Sequence, residues 1–507
     1  MGSAIRAGAG RAAGGRGLTL VLLCALAAAL RAAYLFETLE LPFIDGPIYD
    51  SLAYLRQARA IAEGDLGHPS LVAMSPLYGW FIAALGGEAH TLRVAVVQMV
   101  LGCVNVYLVY SIAETMHGER AAIAATLLFM GYGLVLFHDG KILSETLGLT
   151  LLFAGMRMYV SRAFAAGSPW ASLACGAVLG LAALARASLL FVAPLSVAFA
   201  LLPWGARLEG GRGRYRLRRA AGVLIGLAAT WGGSGLWNLH HTGIFVPVVL
   251  VQRTVEATTR MAWTGSLGED GRGDLGVASA FDLIEDAAER IESRRLGKEE
   301  DGEPMLGRVD WMGWIRHSPS KIAGTFADAE TSIQYGYYGE RTEVLSLRLL
   351  PVSFGFLALA ALAGAFLLWR AGQAATIVPL LPVVLGIVMV TTLFYPSSRY
   401  RLPLVLPLAV MSGYAVASVL AMKGRIRLAV WASVLAAAFS FFAWRTWTHA
   451  LRDPALWHVR VADSAIQAGD VGEASRRLDL AVAAGSADLD TRRRIESLGH
   501  ALGRGAR

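Results

Sequence analysis

The chain alternates between blocks of about twenty apolar residues and short gaps that carry arginine. A helix of about twenty residues spans the roughly 30 Å hydrocarbon core of a bilayer. Backbone polar groups in lipid must be satisfied within the segment itself, so these blocks are predicted to be helices. They are too long and too rich in Ala, Leu and Gly for the strands of a porin-like barrel. The predicted fold class is an all-α polytopic membrane protein with about eleven transmembrane helices.

Composition supports this class and excludes others. Of 507 residues, 55% are hydrophobic and 17% charged, whereas soluble domains carry about 25% charged residues. The formal net charge of +8 would suggest nucleic acid on a soluble protein. Here the arginines lie between apolar blocks, so membrane topology explains them better and no nucleic-acid partner is expected. All three cysteines lie inside apolar blocks, which indicates buried thiols rather than a disulfide or metal framework.

The apolar blocks define a membrane domain over residues 1–447. The first block follows three arginines and resembles a secretory signal, but it is longer than the 7–15 residues of a signal core. An uncleaved first span is therefore preferred over a cleaved signal. The predicted spans are 17–36, 91–114, 120–137, 142–160, 171–185, 187–204, 220–239, 347–369, 374–394, 402–421 and 428–447.

Lysine and arginine in the short loops fall mainly on one side, which predicts a cytoplasmic N-terminus in the cell (inner) membrane. Loops 37–90 and 240–346 and the tail 448–507 are then extracytoplasmic. Residues 265–304 are Gly-rich and charged, and are predicted to be mobile. In the tail, residues 465–485 indicate a helix, a Gly-Asp turn and a helix, similar to one tetratricopeptide unit. A single unit cannot bury its own apolar face, so it is predicted to pack on another surface. A protein partner of the tail is one such surface.

The first loop contains a carboxylate, Asp45, in a Gly-Pro turn just after the first span. Asp50 is predicted to be the N-cap of the following helix, with Tyr54 one turn on. A carboxylate at the membrane surface could accept a proton from an acceptor hydroxyl or hold a divalent metal. The alternative is that Asp45 and Asp50 only cap a turn and a helix.

A second acidic group, His138-Asp139 and Glu145, lies between the third and fourth predicted spans. A carboxylate such as Glu145 at membrane depth is costly, so it should be paired or functional. Lys141, four residues earlier, is the predicted partner. His138 and Asp139 could supply metal ligands; the alternative is interfacial capping.

Three arginines on the predicted extracytoplasmic side depart from the charge bias: Arg186, Arg399 and Arg401. Arginine forks bind phosphate oxygens in pairs, so fixed arginines at the outer surface suit a lipid phosphate. The alternative is that they reach past lipid to the headgroups.

Several motifs together resemble the GT-C superfamily of glycosyltransferases that use polyprenyl-phosphate sugars. The resemblance is to its protein O-mannosyltransferase and aminoarabinose-transferase branch, glycosyltransferase family 39/83. It covers about residues 17–447. The motifs are Asp45 with Tyr49 and Tyr54, residues 75–80, 143–147, 180–186, 314–319 and 398–403.

The resemblance implies transfer of a sugar from a polyprenyl-phosphate donor to a protein, lipid or glycan acceptor outside the cytoplasm, usually with inversion. Asp45 would be the base, and Asp139 or Glu145 the second acid. The arginines would bind the departing phosphate. A divalent metal ion is left open, with Asp45, His138 and Asp139 as candidate ligands. The remaining residues expected to bind substrate are Tyr49, Asp50, Tyr54, Arg186, Arg399, Tyr400 and Arg401.

Three alternatives share parts of this pattern. A ligase or polymerase of lipid-linked glycans would have a similar layout. A transporter or flippase would favour inverted repeats and helices broken at the membrane midplane, and neither is evident in the sequence. An inactive scaffold would use the tail to assemble a complex.

Overall fold

A computed structural model describes residues 2–203, 212–250, 259, 280–296, 309–328, 330, 335–422, 424, 454–486 and 489–503. Within these residues the protein is helical and has no β-strand; Tyr132 and Val352 form an isolated bridge. This agrees with the predicted all-α class. The predicted span 428–447 lies outside the described residues.

The described residues up to Leu250 contain twelve α-helices. They are α1 (Gly2–Thr38), α2 (Asp50–Ala62), α3 (Ser70–Ala73), α4 (Pro76–Ala84), α5 (Thr91–His117), α6 (Glu119–Gly131), α7 (Gly133–Asp139), α8 (Glu145–Tyr159), α9 (Arg162–Ala165), α10 (Pro169–Ala185), α11 (Val192–Ala200) and α12 (Arg212–Thr242). Short 3₁₀ turns at Gly87–His90 and Ala187–Leu189 precede α5 and α11.

The second half continues with the helices of the large loop, the last described membrane helices and the tail. They are α13 (Ala280–Arg295), α14 (Trp311–Phe326), α15 (Tyr337–Glu343), α16 (Leu345–Arg348), α17 (Phe354–Arg370), α18 (Leu381–Leu393), α19 (Ser398–Arg401), α20 (Val405–Ala421), α21 (Pro454–Gln467), α22 (Val471–Ala484) and α23 (Leu489–Ala501). Further 3₁₀ turns lie at Ala374–Thr376, Val378–Leu380 and Leu402–Leu404.

Five described segments are long and apolar enough to cross a membrane: Gly17–Thr38, Gly87–His117, Gly213–Thr242, Ala374–Leu393 and Ser398–Ala421. Pro169–Ala185, Ala187–Ala200 and Phe354–Arg370 are shorter apolar helices. The protein is thus a multi-pass membrane protein, although the predicted number of eleven spans stays a prediction.

Two predicted spans differ in detail from the observed helices. Residues 120–137 were expected to be continuous, but the chain is extended at Tyr132 between α6 and α7. The amide of Val352 donates to the carbonyl of Gly131 there, at 3.1 Å. The span predicted at 347–369 begins only at Phe354, because Leu345–Arg348 forms a separate short helix.

One face of α5 shows how these helices meet lipid. Large exposed apolar side chains recur every three or four residues along it, which places them on one stripe of the helix: Leu92, Val96, Val100, Val104 and Tyr107. The opposite face is buried and contains Gln98, Gly102 and Asn105. In water such a stripe would be unfavourable, whereas in a bilayer it faces acyl chains.

Glycines allow the backbones of α10 and α12 to approach closely. A Cβ at Gly226 would lie 2.6 Å from the backbone nitrogen of Ala177, and one at Gly176 would collide with the carbonyl of Val223. Gly176 and Gly180 are four residues apart, as are Gly222 and Gly226. Small residues at this spacing are typical of tightly packed membrane helices. This packing fixes the end of α10, where Arg186 lies.

The middle of the large loop was predicted to be mobile, but part of it is an ordered element. Helix α13 buries Ala287 and Ile291 in one apolar cluster with Tyr54 and Val72 of the first loop. The two extracytoplasmic loops predicted from the sequence therefore pack on each other.

The tail contains the expected helix, turn and helix, with Gly469 in the left-handed region at φ 79° between α21 and α22. Its likeness to a tetratricopeptide unit stays a prediction. It was expected to pack on something else, and it contacts the first loop of the same chain; a protein partner for it stays a prediction. Ser464 Oγ donates to the carbonyl of Gly46 at 2.5 Å, and the ring of Trp457 contacts that of Phe43 at 5.6 Å.

A salt bridge attaches the tail to α15. Arg477 Nη2 donates to Glu343 Oε2 at 2.7 Å, and the indole nitrogen of Trp457 donates to Glu343 Oε1 at 2.7 Å. Burial would raise the pKa of Glu343, but the hydrogen bonds from Arg477 and Trp457 outweigh it and hold this pKa below 4.5. Because the folded-state pKa is depressed, this stabilisation is present above about pH 4.5 and is lost as pH falls through the lower folded-state value.

We therefore expect Glu343→Gln to increase hydrogen exchange in α21 and α22 at pH 7, and wild-type tail exchange to rise below pH 4.5. Glu473→Gln is the matched control, since Glu473 also accepts from Arg477 Nε at 2.7 Å but lies within the tail itself. Equal exchange in both variants would show that Glu343 does not hold the tail in place.

Candidate active site

Four side chains from distant parts of the sequence meet at or near the ends of helices. Asp50 is the first residue of α2, Glu145 the first of α8, Arg186 follows α10, and Arg399 lies in α19 just before α20. The sequence places all four on the same side of the membrane. Their meeting agrees with that topology.

Arg399 is the centre of this network. Its Nη1 donates to Asp50 Oδ2 at 2.9 Å, and its Nε donates to Glu145 Oε1. Arg186 Nη1 lies 2.9 Å from the same Glu145 oxygen, and Arg186 Nη2 donates to the carbonyl of Arg399 at 2.8 Å. Two carboxylates and two guanidinium groups therefore balance in charge and fix one another's positions.

Exposure divides the network into an inner and an outer part. The Glu145 side chain is 0% exposed and that of Arg186 5%, whereas Arg399 is 12% and Asp50 23% exposed. Among the described residues, Nη2 of Arg399 has no protein partner. This end of the guanidinium can take a ligand oxygen.

Asp50 was predicted to cap α2, and this prediction is wrong. The N-cap position is occupied by Tyr49, no side chain caps the helix, and the Asp50 carboxylate bonds Arg399 instead. Tyr49 has φ 52°, a left-handed conformation that costs a non-glycine residue about 1–3 kcal/mol.

Tyr54 lies beside the network, and its hydroxyl donates to Ser144 Oγ at 3.3 Å. Arg186 Nη1 also approaches Ser144 Oγ, at 3.4 Å. Burial and the negative charge of Asp50 raise the pKa of the Tyr54 phenol. It therefore stays a neutral hydrogen-bond donor at physiological pH.

Asp45 is exposed, and among the described residues it has neither a hydrogen bond nor an ion pair. Its neighbour Gly46 is buried against the tail. Asp45 lies five residues before Asp50, in the turn that precedes α2. Of the four predicted acids, Asp45 alone is without a described charged partner.

Asp139, predicted as a second acid, pairs elsewhere. Arg31 of α1 lies 2.8 Å from Asp139 Oδ2, and Thr146 Oγ1 donates to Asp139 Oδ1 at 2.9 Å. Gly102 makes room for this pair, since a Cβ there would collide with both partners. Arg31 was missed in the sequence; an arginine inside the first apolar block was the signal that it needed a partner.

Lys141 was predicted to pair with Glu145, and this is also wrong. Its Nζ lies 2.6 Å from Glu340 Oε2 of α15, and Tyr34 donates to the other oxygen of Glu340 at 2.5 Å. The Lys141 ammonium also lies 4.7 Å from the centroid of the Phe43 ring. The large loop is thereby attached to the membrane helices next to the site.

Arg401 does not join Arg399. Its Nη2 lies 2.9 Å from Glu330 Oε2, and its guanidinium stacks 4.0 Å from the Phe354 ring centroid. It is buried and also donates to backbone carbonyls at the end of α14. Tyr400 is half-buried against Tyr395, with ring centroids 5.1 Å apart. Successive residues on a short helix point in different directions, which separates Arg399 from Arg401.

The candidate metal ligands are not brought together. Among the described residues no group of three or more His, Cys, Asp or Glu side chains could hold a metal ion. Asp45 is exposed, Asp139 pairs with Arg31, and His138 is buried. These residues do not fit a metal centre.

Part of the chain matches a known protein family. Residues 68–229 match the family model described as dolichyl-phosphate-mannose-protein mannosyltransferase, which confirms the predicted resemblance for that segment. It includes Glu145 and Arg186. A comparison with curated protein sequences found no match.

Solved structures of two other proteins are similar at low identity. One is the oligosaccharyltransferase of Archaeoglobus fulgidus, at 13% identity and a TM-score of 0.43, covering 88% of this chain. This chain spans about half of that protein, 55% of its length. The other is ArnT of Cupriavidus metallidurans, at 14% identity and a TM-score of 0.39, covering 95% of this chain and 77% of the other.

Proposed function

We propose that this protein is a glycosyltransferase of the cell membrane. It moves a sugar from a polyprenyl-phosphate donor to an acceptor on the extracytoplasmic side. The observation that carries the proposal is Arg399, held between Asp50 and Glu145 with its Nη2 end unpartnered among the described residues. A fixed, partly exposed guanidinium at the end of an apolar helix suits the phosphate of a lipid. The match of residues 68–229 to a mannosyltransferase family model supports the same chemistry.

The proposed step gives a role to these charged groups and to Asp45. The acceptor hydroxyl attacks the anomeric carbon, the new carbon–oxygen bond forms, and the bond to the phosphate oxygen breaks with inversion. Asp45 takes the hydroxyl proton, since its carboxylate is exposed and has no described partner. Arg399 stabilises the charge on the departing polyprenyl phosphate, and Arg186 holds Glu145 so that Arg399 keeps its orientation.

Purified full-length protein with radiolabelled polyprenyl-phosphate sugars and an extract of acceptors tests this function. We expect release of polyprenyl phosphate together with label in the acceptor. Movement of intact donor between vesicle compartments, without cleavage, would instead identify a transporter. No turnover of any hexose or pentose donor would contradict the proposal.

Gly148 gives a further test, because it lies on α8 directly under Arg186. A Cβ at position 148 would lie 2.7 Å from Arg186 Cβ, so Gly148→Ala must push this side chain away from Glu145. We expect transfer to fall by about tenfold to a hundredfold, the size of effect that misplaced site groups produce. Initial rates of polyprenyl phosphate release measure it.

Gly155→Ala is the matched control on the same helix. A Cβ there would lie 2.6 Å from Leu179 Cδ2, which is crowding of similar size away from the network. Both variants should lose about 1–3 kcal/mol of stability, but only Gly148→Ala should lose rate. Parallel losses of rate would assign the effect to packing alone.

A further inference from the structure

His138, the second-to-last residue of α7, is buried without any hydrogen bond. The residue is 1% exposed, and neither of its ring nitrogens has a hydrogen-bond partner among the described residues. Its ring contacts Phe137 edge-on at 5.2 Å. The residues that follow His138 and Glu145 are hydrogen-bonded, since Thr146 Oγ1 donates to Asp139 Oδ1 at 2.9 Å, and this bond holds the end of α7 against the start of α8. His138 therefore lies next to the arginine–carboxylate network without bonding to it.

One carboxylate oxygen of Glu145 is also buried without a hydrogen bond. Its Oε1 accepts from Arg399 and pairs with Arg186, whereas Oε2 is buried and has no described partner. Buried polar atoms without partners are rare and costly. Two such buried groups, on the helix ends that the bond between Thr146 and Asp139 joins, indicate that a ligand supplies the missing hydrogen bonds.

The chemistry of the two groups restricts that ligand. One imidazole nitrogen donates and the other accepts when the ring is neutral, and the carboxylate oxygen only accepts. A phosphate oxygen would be repelled by the carboxylate, and a polyprenyl chain offers no polar atom. A hydroxyl group donates to a carboxylate and accepts from an N–H at the same time.

We infer that His138 and Glu145 Oε2 bind a hydroxyl of the donor's sugar ring, and so contribute to the choice of sugar. The inference rests on the proposed function. In a polyprenyl-phosphate sugar the phosphate is attached to the anomeric carbon, so the ring lies directly beside the phosphate that Arg399 takes. The burial of His138 and Glu145, compared with the partial exposure of Asp50, puts the sugar on the inner side and leaves the outer side to the acceptor.

The test compares two kinds of lipid probe on full-length protein in nanodiscs. The probes are polyprenyl phosphate without sugar and a set of hexose and pentose polyprenyl phosphates that includes mannose. We expect wild-type protein to bind at least one sugar lipid more tightly than the sugar-free lipid. His138→Phe should reduce that preference about tenfold, the size of a lost hydrogen bond of this kind, with the affinity for polyprenyl phosphate unchanged.

A second variant and a matched control make the test specific. His138→Gln keeps one donor and one acceptor, so it should restore part of the preference. His117 is another histidine with an unpartnered ring nitrogen, Nε2, and stacks on Tyr414 at 4.9 Å. Gln98 marks the position of His138 along α5, because its side chain donates to the carbonyls of Asp139 and Lys141. His117 lies 19 residues further along the same helix, or about 28 Å away. His117→Phe should leave both affinities unchanged.

The outcomes separate this inference from the proposed function. If wild-type protein transfers sugar but His138→Phe keeps its full preference, His138 binds only water or nothing, and the inference alone fails. Equal weakening of both lipids would give His138 a structural role and would also overturn it. If wild-type protein neither binds nor cleaves any sugar lipid, the proposed function fails, and the inference with it.

Discussion

Asp45→Asn is expected to reduce sugar transfer by about a thousandfold while the protein still inserts into the membrane. General-base groups contribute about 10²–10⁴ to rates, and the amide cannot take a proton. The side chain is exposed and makes no described contact, so stability should stay within about 0.5 kcal/mol of wild type. Single-turnover release of polyprenyl phosphate, with the melting temperature as a check, measures both.

Asp50→Asn is the matched variant, five residues later in the chain at the start of α2. Its carboxylate is held by Arg399 at 2.9 Å, and an amide oxygen can still accept that hydrogen bond. We expect a loss of about tenfold or less, consistent with a partly exposed pair. A larger loss for Asp50→Asn than for Asp45→Asn would transfer the role of base to Asp50.

Arg399→Ala is expected to reduce transfer by about a hundredfold to a thousandfold, the usual cost of removing one group that stabilises developing charge. The affinity for polyprenyl phosphate alone should fall as well, because the same guanidinium binds product. Arg399→Lys keeps the charge but loses the planar guanidinium. Its transfer rate and its affinity should lie between those of the wild type and of Arg399→Ala. Binding and rate assays on both variants test this.

Arg401→Ala is the contrasting variant two residues away. It would leave Glu330 buried without its guanidinium partner, which typically destabilises by about 3–5 kcal/mol. Thermal unfolding should therefore distinguish the two arginines: Arg401→Ala lowers the melting temperature strongly, whereas Arg399→Ala mainly lowers rate. Identical profiles for the two would remove the special role of Arg399.

Much of this arrangement could be predicted because it follows from the membrane. Segment length and arginine position determine which ends of the helices share a side, and this groups Asp50, Glu145, Arg186 and Arg399 before any contact is known. The helical class follows from the same constraint. Asp45 as base stays a prediction that rests on motif and on exposure.

The sequence could not predict which charges pair. Arg401 and Arg399 have nearly the same local sequence, yet one contacts Glu330 of the large loop and the other Glu145 of α8. Lys141 pairs with Glu340, about two hundred residues away, rather than with Glu145 on the next turn. Such choices depend on how the loops fold back over the helices, and hydropathy contains no information about that.

The tail contacts the turn at Phe43 and Gly46, and this contact restricts how a substrate can approach. Helix α21 covers one side of this turn through Trp457 and Ser464, immediately beside Asp45. Under the proposed function, a bulky folded acceptor would collide with α21 on that flank. We therefore expect an extended peptide or a slender glycan chain to be a better acceptor than a folded domain.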